Sequence, residues 1–173
     1  MADTDTDTGR FDPAAALIRL GRAQAQPDQP RALFAAFETL CAEAVGHRLF
    51  TLLAWRPDTG EVARVHSSRP SDYPLRGRKP MGPTAWGAQV LHGGQPWLGR
   101  SAADIEWAFP DHALIASLGC ASCLSAPVLW DGRVLGVTAV LDRADAYTPG
   151  DLAGLCRIAP LLAPGFLTLQ AET

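Results

Sequence analysis

Apolar positions along this chain change period twice, which divides it into helical ends and a strand-rich middle. Residues 1–12 carry little apolar pattern and read as a flexible tail. Over 13–23, Leu17, Ile18 and Leu20 fall on a short helix with Pro13 in its opening turn, and a polar linker runs to residue 29. Behind Pro30, the residues Leu33, Phe34, Phe37, Leu40, Cys41 and Ala44 recur at helical spacing and predict a second helix, closed by Gly46. The period then drops to two over 49–55 and 61–67, on either side of the turn residues Pro57, Asp58, Thr59 and Gly60, which predicts a hairpin. A second hairpin is predicted over 120–130 and 133–142, because Asp131 and Gly132 both tolerate positive φ between two apolar runs. Thr148, Pro149 and Asp151 have capping-box spacing and open a last helix, with Leu152, Leu155, Cys156 and Ala159 on its buried stripe.

Residues 68–119 join the hairpins, a connection far longer than the usual ~4–6 residues. It begins with a loop over 68–82 that holds the basic cluster Arg76, Arg78 and Lys79. A short helix over 83–91, a brief strand over 95–98 and helical turns over 102–109 and 111–118 follow. Three of the five tryptophans, Trp86, Trp97 and Trp107, lie in this crossover. Long connections in compact domains are commonly functional, so a pocket is expected here. The whole reads as an α+β protein with one domain over 30–169, preceded by a helix and linker over 13–29.

Charge and composition narrow the function. Fifteen basic residues against 18 acidic ones give a net charge of −3, so no basic excess draws the chain to nucleic acid. The acidic first residues lack the basic start and apolar run of a signal peptide. The apolar stretch 158–169 is interrupted by Pro160 and Pro164 and falls short of the ~20 residues a bilayer requires. A cytoplasmic chain that crosses no membrane is therefore expected, with Cys41, Cys120, Cys123 and Cys156 as reduced thiols.

Three fragments carry a family resemblance: Ser117-Leu-Gly-Cys-Ala-Ser-Cys-Leu-Ser-Ala-Pro-Val128, Asp131-Gly-Arg-Val-Leu-Gly-Val137 and Tyr147-Thr-Pro-Gly-Asp-Leu152. Their wording, order and spacing resemble the GAF domain over about residues 30–167. The resemblance implies a six-stranded antiparallel sheet, with the first and last helices on one face and a ligand pocket under the crossover on the other. It also implies a cytoplasmic sensory module that binds a small molecule and pairs with a second copy through its terminal helices. A chain without an output domain would work through a separate signalling partner or act as a carrier.

Cys120 and Cys123 have the spacing of a redox or zinc pair, but on a strand residues three apart face opposite sides. A redox pair works at a helix N-terminus, and zinc would need two further ligands at suitable spacing, so packing is the default reading. The free methionine-R-sulfoxide reductases are a catalytic branch of the resembled family. Alignment puts their strand acids at Cys123, Ala139 and Leu141 and their catalytic cysteine near Ala116, and none is kept. The rival reading is therefore a thiol enzyme that uses Cys120 or Cys123 in another way. Ser122 and Ser125 lie on a strand without a nucleophile elbow. His47 is expected to cap a helix C-terminus as a cation, His66 to face solvent, and His92 to end a short helix; His112 is expected to overhang the pocket. Haem at His112 is the weaker alternative, and no cofactor or metal is expected. The expected ligand is small, anionic or partly apolar. It would be held among Tyr73, Arg78, Lys79, Trp86, Trp97, Trp107, Phe109, His112, Cys120, Ser122, Cys123 and Ser125. The alternative for the basic cluster is a solvated loop tip, and for the whole chain a dimerisation module with a closed pocket.

Overall fold

The computed structural model describes residues 9–75 and 78–171. The two hairpins form as the periodicity predicts and join in one antiparallel sheet. Strands β1 (Leu49–Arg56) and β2 (Glu61–Ser67) make the first hairpin; β5 (Ser122–Trp130) and β6 (Arg133–Asp142) make the second. Strand β1 pairs with β6 in the centre, and the order across the sheet is β3-β2-β1-β6-β5-β4. The outer strands are short: β3 is Lys79–Pro80 and β4 is Trp97–Gly99. At the second turn Asp131 and Gly132 take φ of 50° and 69°, the left-handed pair that a two-residue hairpin requires.

Helices cover one face. They are α1 (Pro13–Gln24), α2 (Arg31–Ala44), α6 (Pro149–Ile158) and α7 (Ala163–Ala171). Phe34, Phe37, Leu155, Leu162 and Phe166 from these helices pack on Phe50, Leu52, Leu124, Ala126 and Val140 of the strands. Gly136 permits this closeness, because a Cβ there would lie 2.4 Å from a Phe166 ring carbon and 2.4 Å from the Leu53 carbonyl oxygen. Crossover elements cover the other face: α3 (Ala85–Gly87) with the π-helical turn Ala88–His92, α4 (Ala102–Ala108) and α5 (His112–Ser117).

Both ends depart from the sequence expectation. The expected tail ends too late, since Phe11 is 2% exposed and Arg10 binds the Asp151 carboxylate through Nε and Nη2 at 3.0 and 2.9 Å. The same carboxylate accepts the Thr148 amide while Thr148 Oγ1 accepts the Asp151 amide, completing the capping box of α6. At the C-terminus, Pro160 and Pro164 do not interrupt the helical run. They sit in the first turns of a 3-10 segment, Ala159–Leu162, and of α7, where a missing N–H is tolerated. The run Pro149–Ala171 is 23 residues and contains an 18-residue stretch of mean hydropathy 1.6, long and apolar enough by composition to cross a bilayer. Leu155, Ile158, Leu162 and Phe166 of this run are nonetheless buried in the helix-side core, as a core helix requires.

Candidate functional site

A break in strand alternation creates the site. Leu53 pairs with Arg64 and Leu52 with His66, so β2 carries a one-residue bulge at Val65. Without it Arg64 and His66, two residues apart, would share a face. Instead His66 turns to the helical layer, where its Nε2 lies 2.5 Å from Glu38 Oε2 against Phe34 and Phe50. His66 is thus half-buried against the helical layer rather than solvent-facing. Arg64 keeps the register of Val62 and faces the crossover, with its side chain 6% exposed.

Arg64 lies in a cavity of about 60 Å³ between sheet and crossover. Its floor is Thr51, Leu53, Val62, Ala139 and Leu141, and its walls include Tyr73, Met81, Trp86, Phe109, Asp111 and Ile115. The Arg64 guanidinium stacks 3.5 Å from the Tyr73 ring centroid and donates from Nη1 to the Pro74 carbonyl at 2.6 Å. Arg64 Nη2 stands 3.7 Å from Asp111 Oδ2, beyond hydrogen-bond range, and buried Nε has no partner among the described residues. The Tyr73 hydroxyl donates to Asp111 at 2.6 Å. Burial, reinforced by the Asp111 charge, pushes that hydroxyl's pKa well up, so it stays a donor. A buried guanidinium with unused donors in an apolar chamber has the chemistry to take a planar anion.

The expected site residues divide. Tyr73, Trp86 and Phe109 line the cavity, and Trp86 is fully buried with Nε1 donating to Ser125 Oγ at 3.3 Å. Arg78 is exposed and outside the lining, because it directly precedes the edge strand β3. Arg76 and the Lys79 side chain lie outside the described residues; the Lys79 backbone pairs with Val62. Trp97 and Trp107 stack on each other at 5.8 Å instead of walling the cavity, and Trp107 is 49% exposed. His112 is half-buried outside the lining. Ser122 is turned away, with Oγ donating to the Arg143 carbonyl at 2.6 Å.

The cysteine pair needs a correction. Regular strand geometry begins at Ser122, and the Cys120 amide still caps α5 by donating to the Ile115 carbonyl. Alternation therefore does not extend back to Cys120, and both thiols join one buried cluster with Ile105, Ile115, Ala139 and Leu141. Burial pushes the Cys120 thiol up to about 11 and the Cys123 thiol up to about 12. His47 is also unlike its expectation. Its buried Nε2 has no partner among the described residues, and desolvation lowers its pKa, which disfavours a cationic cap.

Arg64 and Asp111 were absent from the sequence reading. A charged residue on a strand ordinarily reads as solvent-facing, and only the bulge reveals otherwise. A wider cleft of about 480 Å³ lies beside the hairpin turns, between Trp55, His92, Gly94 and Leu129. Its charged wall, Arg133, is 68% exposed and pairs with Asp131 at 3.6 Å, so its cation is solvated where Arg64 is buried.

The sequence profile of the family described as "GAF domain" matches residues 23–164. Solved structures share the fold at low identity. One is the GAF domain of a phosphoenolpyruvate-protein phosphotransferase from Coxiella burnetii, at 17% identity and TM-score 0.69, covering 92% of this chain and 95% of that one. Another is the free methionine-R-sulfoxide reductase of Neisseria meningitidis in complex with its substrate, at 19% and 0.63, covering 95% and 98%. A third is the phycocyanobilin-bound GAF domain of a cyanobacterial phytochrome, at 13% and 0.70, covering 94% and 97%. A comparison with curated protein sequences gave no match.

Proposed function

Since this chain belongs to the GAF domain family, we propose that it is a sensory module that binds a small, partly apolar anion beside Arg64 in the crossover cavity. The observation that carries this reading is the buried Arg64 guanidinium, whose Nε has no partner among the described residues although the side chain is 6% exposed. Leaving a buried donor unpaired costs about 1–3 kcal/mol, and a bound carboxylate would recover much of it. The anion is thus assigned to Arg64, not to the exposed Arg78. Phosphotransferase, reductase and phytochrome relatives support sensory or binding roles for the fold without identifying the ligand. The thiol-enzyme alternative is disfavoured by pKa values of about 11 and 12 at Cys120 and Cys123, since the thiolate is the nucleophile.

At about 60 Å³ the cavity is well below the roughly 300–1,000 Å³ of typical small-molecule pockets. That favours a second reading, a module whose closed cavity binds nothing and which acts through its surfaces. Under either reading the chain works in the cytoplasm, off membranes and nucleic acid, with a separate partner for output. Leu17 and Ile18, each 58% exposed on α1, support pairing of two copies through the terminal helices. Native mass spectrometry of purified wild type and Arg64→Met tests the choice. A small molecule retained by the wild type and lost in the variant supports the sensor; equal retention in both removes Arg64 from the site.

A further inference from the structure

The proposed anion site already contains a carboxylate that fits it poorly. Asp111 Oδ2 is 3.7 Å from Arg64 Nη2, whereas an arginine fork and a carboxylate in good register meet at about 2.7–2.9 Å through two parallel bonds. Asp111 has no capping hydrogen bond to α5, although it directly precedes that helix. Among the described residues its side chain instead meets the Tyr73 hydroxyl and Arg64, both groups of the cavity. It is also 32% exposed where Arg64 is 6% exposed, so it has a route to water that Arg64 lacks.

Building on the Arg64 reading above, we propose that Asp111 is an internal placeholder and that the ligand is a short aliphatic carboxylate which displaces it. The incoming carboxylate accepts from Nε and one Nη of Arg64, filling the donor that Asp111 leaves empty. Asp111 swings outward, where water solvates its charge. Leu53, Val62 and Ile115 receive the alkyl tail, which a hydrated inorganic anion could not exploit. Displacement also reconciles the small chamber with a ligand, because the departing side chain frees space next to the guanidinium. The movement has a path outward. Asp111 follows Pro110 at the joint between α4 and α5, and α4 carries Trp107, stacked on Trp97 at 5.8 Å. Exchange of one carboxylate for another would thus be transmitted to an aromatic stack at the surface.

Calorimetric titration of acetate, propionate, butyrate and sulfate at constant ionic strength tests this in wild type, Asp111→Asn and Arg64→Met, each first shown to be folded by near-UV circular dichroism. The asparagine keeps an oxygen for the Tyr73 hydroxyl but removes the competing charge. The expected result is weak propionate binding by the wild type, binding about tenfold tighter by D111N, and none by R64M. Unchanged or weaker binding by D111N, with R64M still inactive, overturns the placeholder but leaves the anion site standing. Propionate binding that survives R64M, or is missing from wild type and D111N alike, overturns the site itself. Sulfate binding as tightly as propionate overturns the aliphatic ligand class.

Discussion

The Arg64 guanidinium carbon lies 3.5 Å from the centroid of the Tyr73 ring. This contact accounts for how a cation persists in a chamber lined by Leu53, Val62 and Ile115. The ring face supplies negative electrostatic potential that the apolar side chains cannot. The Tyr73 hydroxyl meanwhile engages Asp111 and fixes the ring over Arg64.

Tyr73→Phe should keep the stacked face and lose the Asp111 hydrogen bond, lowering stability by about 1 kcal/mol. Tyr73→Ala should lower it by about 3 kcal/mol or more, since the ring and the cation's partner go together. Urea denaturation followed by circular dichroism measures both. Equal losses in the two variants would mean that the hydroxyl, not the ring face, supports Arg64.

Asp151 should give stability a distinct acid dependence. Burial pushes its carboxyl up, but hydrogen bonds from Arg10 and Thr148 outweigh that and hold it at about 2. An unfolded aspartate titrates near ~3.9, so the folded value is depressed. Its contribution is complete above about pH 4 and disappears as pH falls through about 2. Asp151→Asn should therefore lose about 1–2 kcal/mol at pH 7, and its deficit relative to wild type should shrink between pH 4 and 2. Thermal melts across that range check the sign; a constant deficit would mean that the pairing does not depend on charge.

Buried thiols should be inert in the native state. With Cys123 pushed up to about 12, about one thiol in ten thousand is ionised at pH 8. Iodoacetamide at pH 8 should label Cys120 and Cys123 at least about a hundredfold more slowly in native protein than in urea. Rapid native labelling of Cys120 would restore the thiol-enzyme reading.

The elements that local rules define were legible in the sequence. Asp131 and Gly132 announced a turn by their tolerance of positive φ, and the Thr148–Asp151 spacing announced a capped helix. The three fragments around Ser117–Val128, Asp131–Val137 and Tyr147–Leu152 carry the family's wording in the residues themselves. What stayed hidden depended on where regular geometry stops. The bulge at Val65 leaves no signature in the residues, yet it alone sends Arg64 to the cavity and His66 to the helices. The late start of β5 at Ser122 likewise put Cys120 on the same side as Cys123. Arg78 and the tryptophans were chosen for their chemistry, but chemistry in a crossover does not tell which side chains turn inward. Trp86 does, whereas Trp107 remains 49% exposed.

The most direct test of the account is the Nε–H resonance of Arg64, assigned in the ¹⁵N–¹H spectrum by its absence from Arg64→Met. The account predicts a signal that shifts downfield and saturates as propionate is added, because an unpaired donor acquires a carboxylate partner. A resonance that stays fixed while propionate is raised to high millimolar concentration would contradict it, and with it the cavity as the binding site.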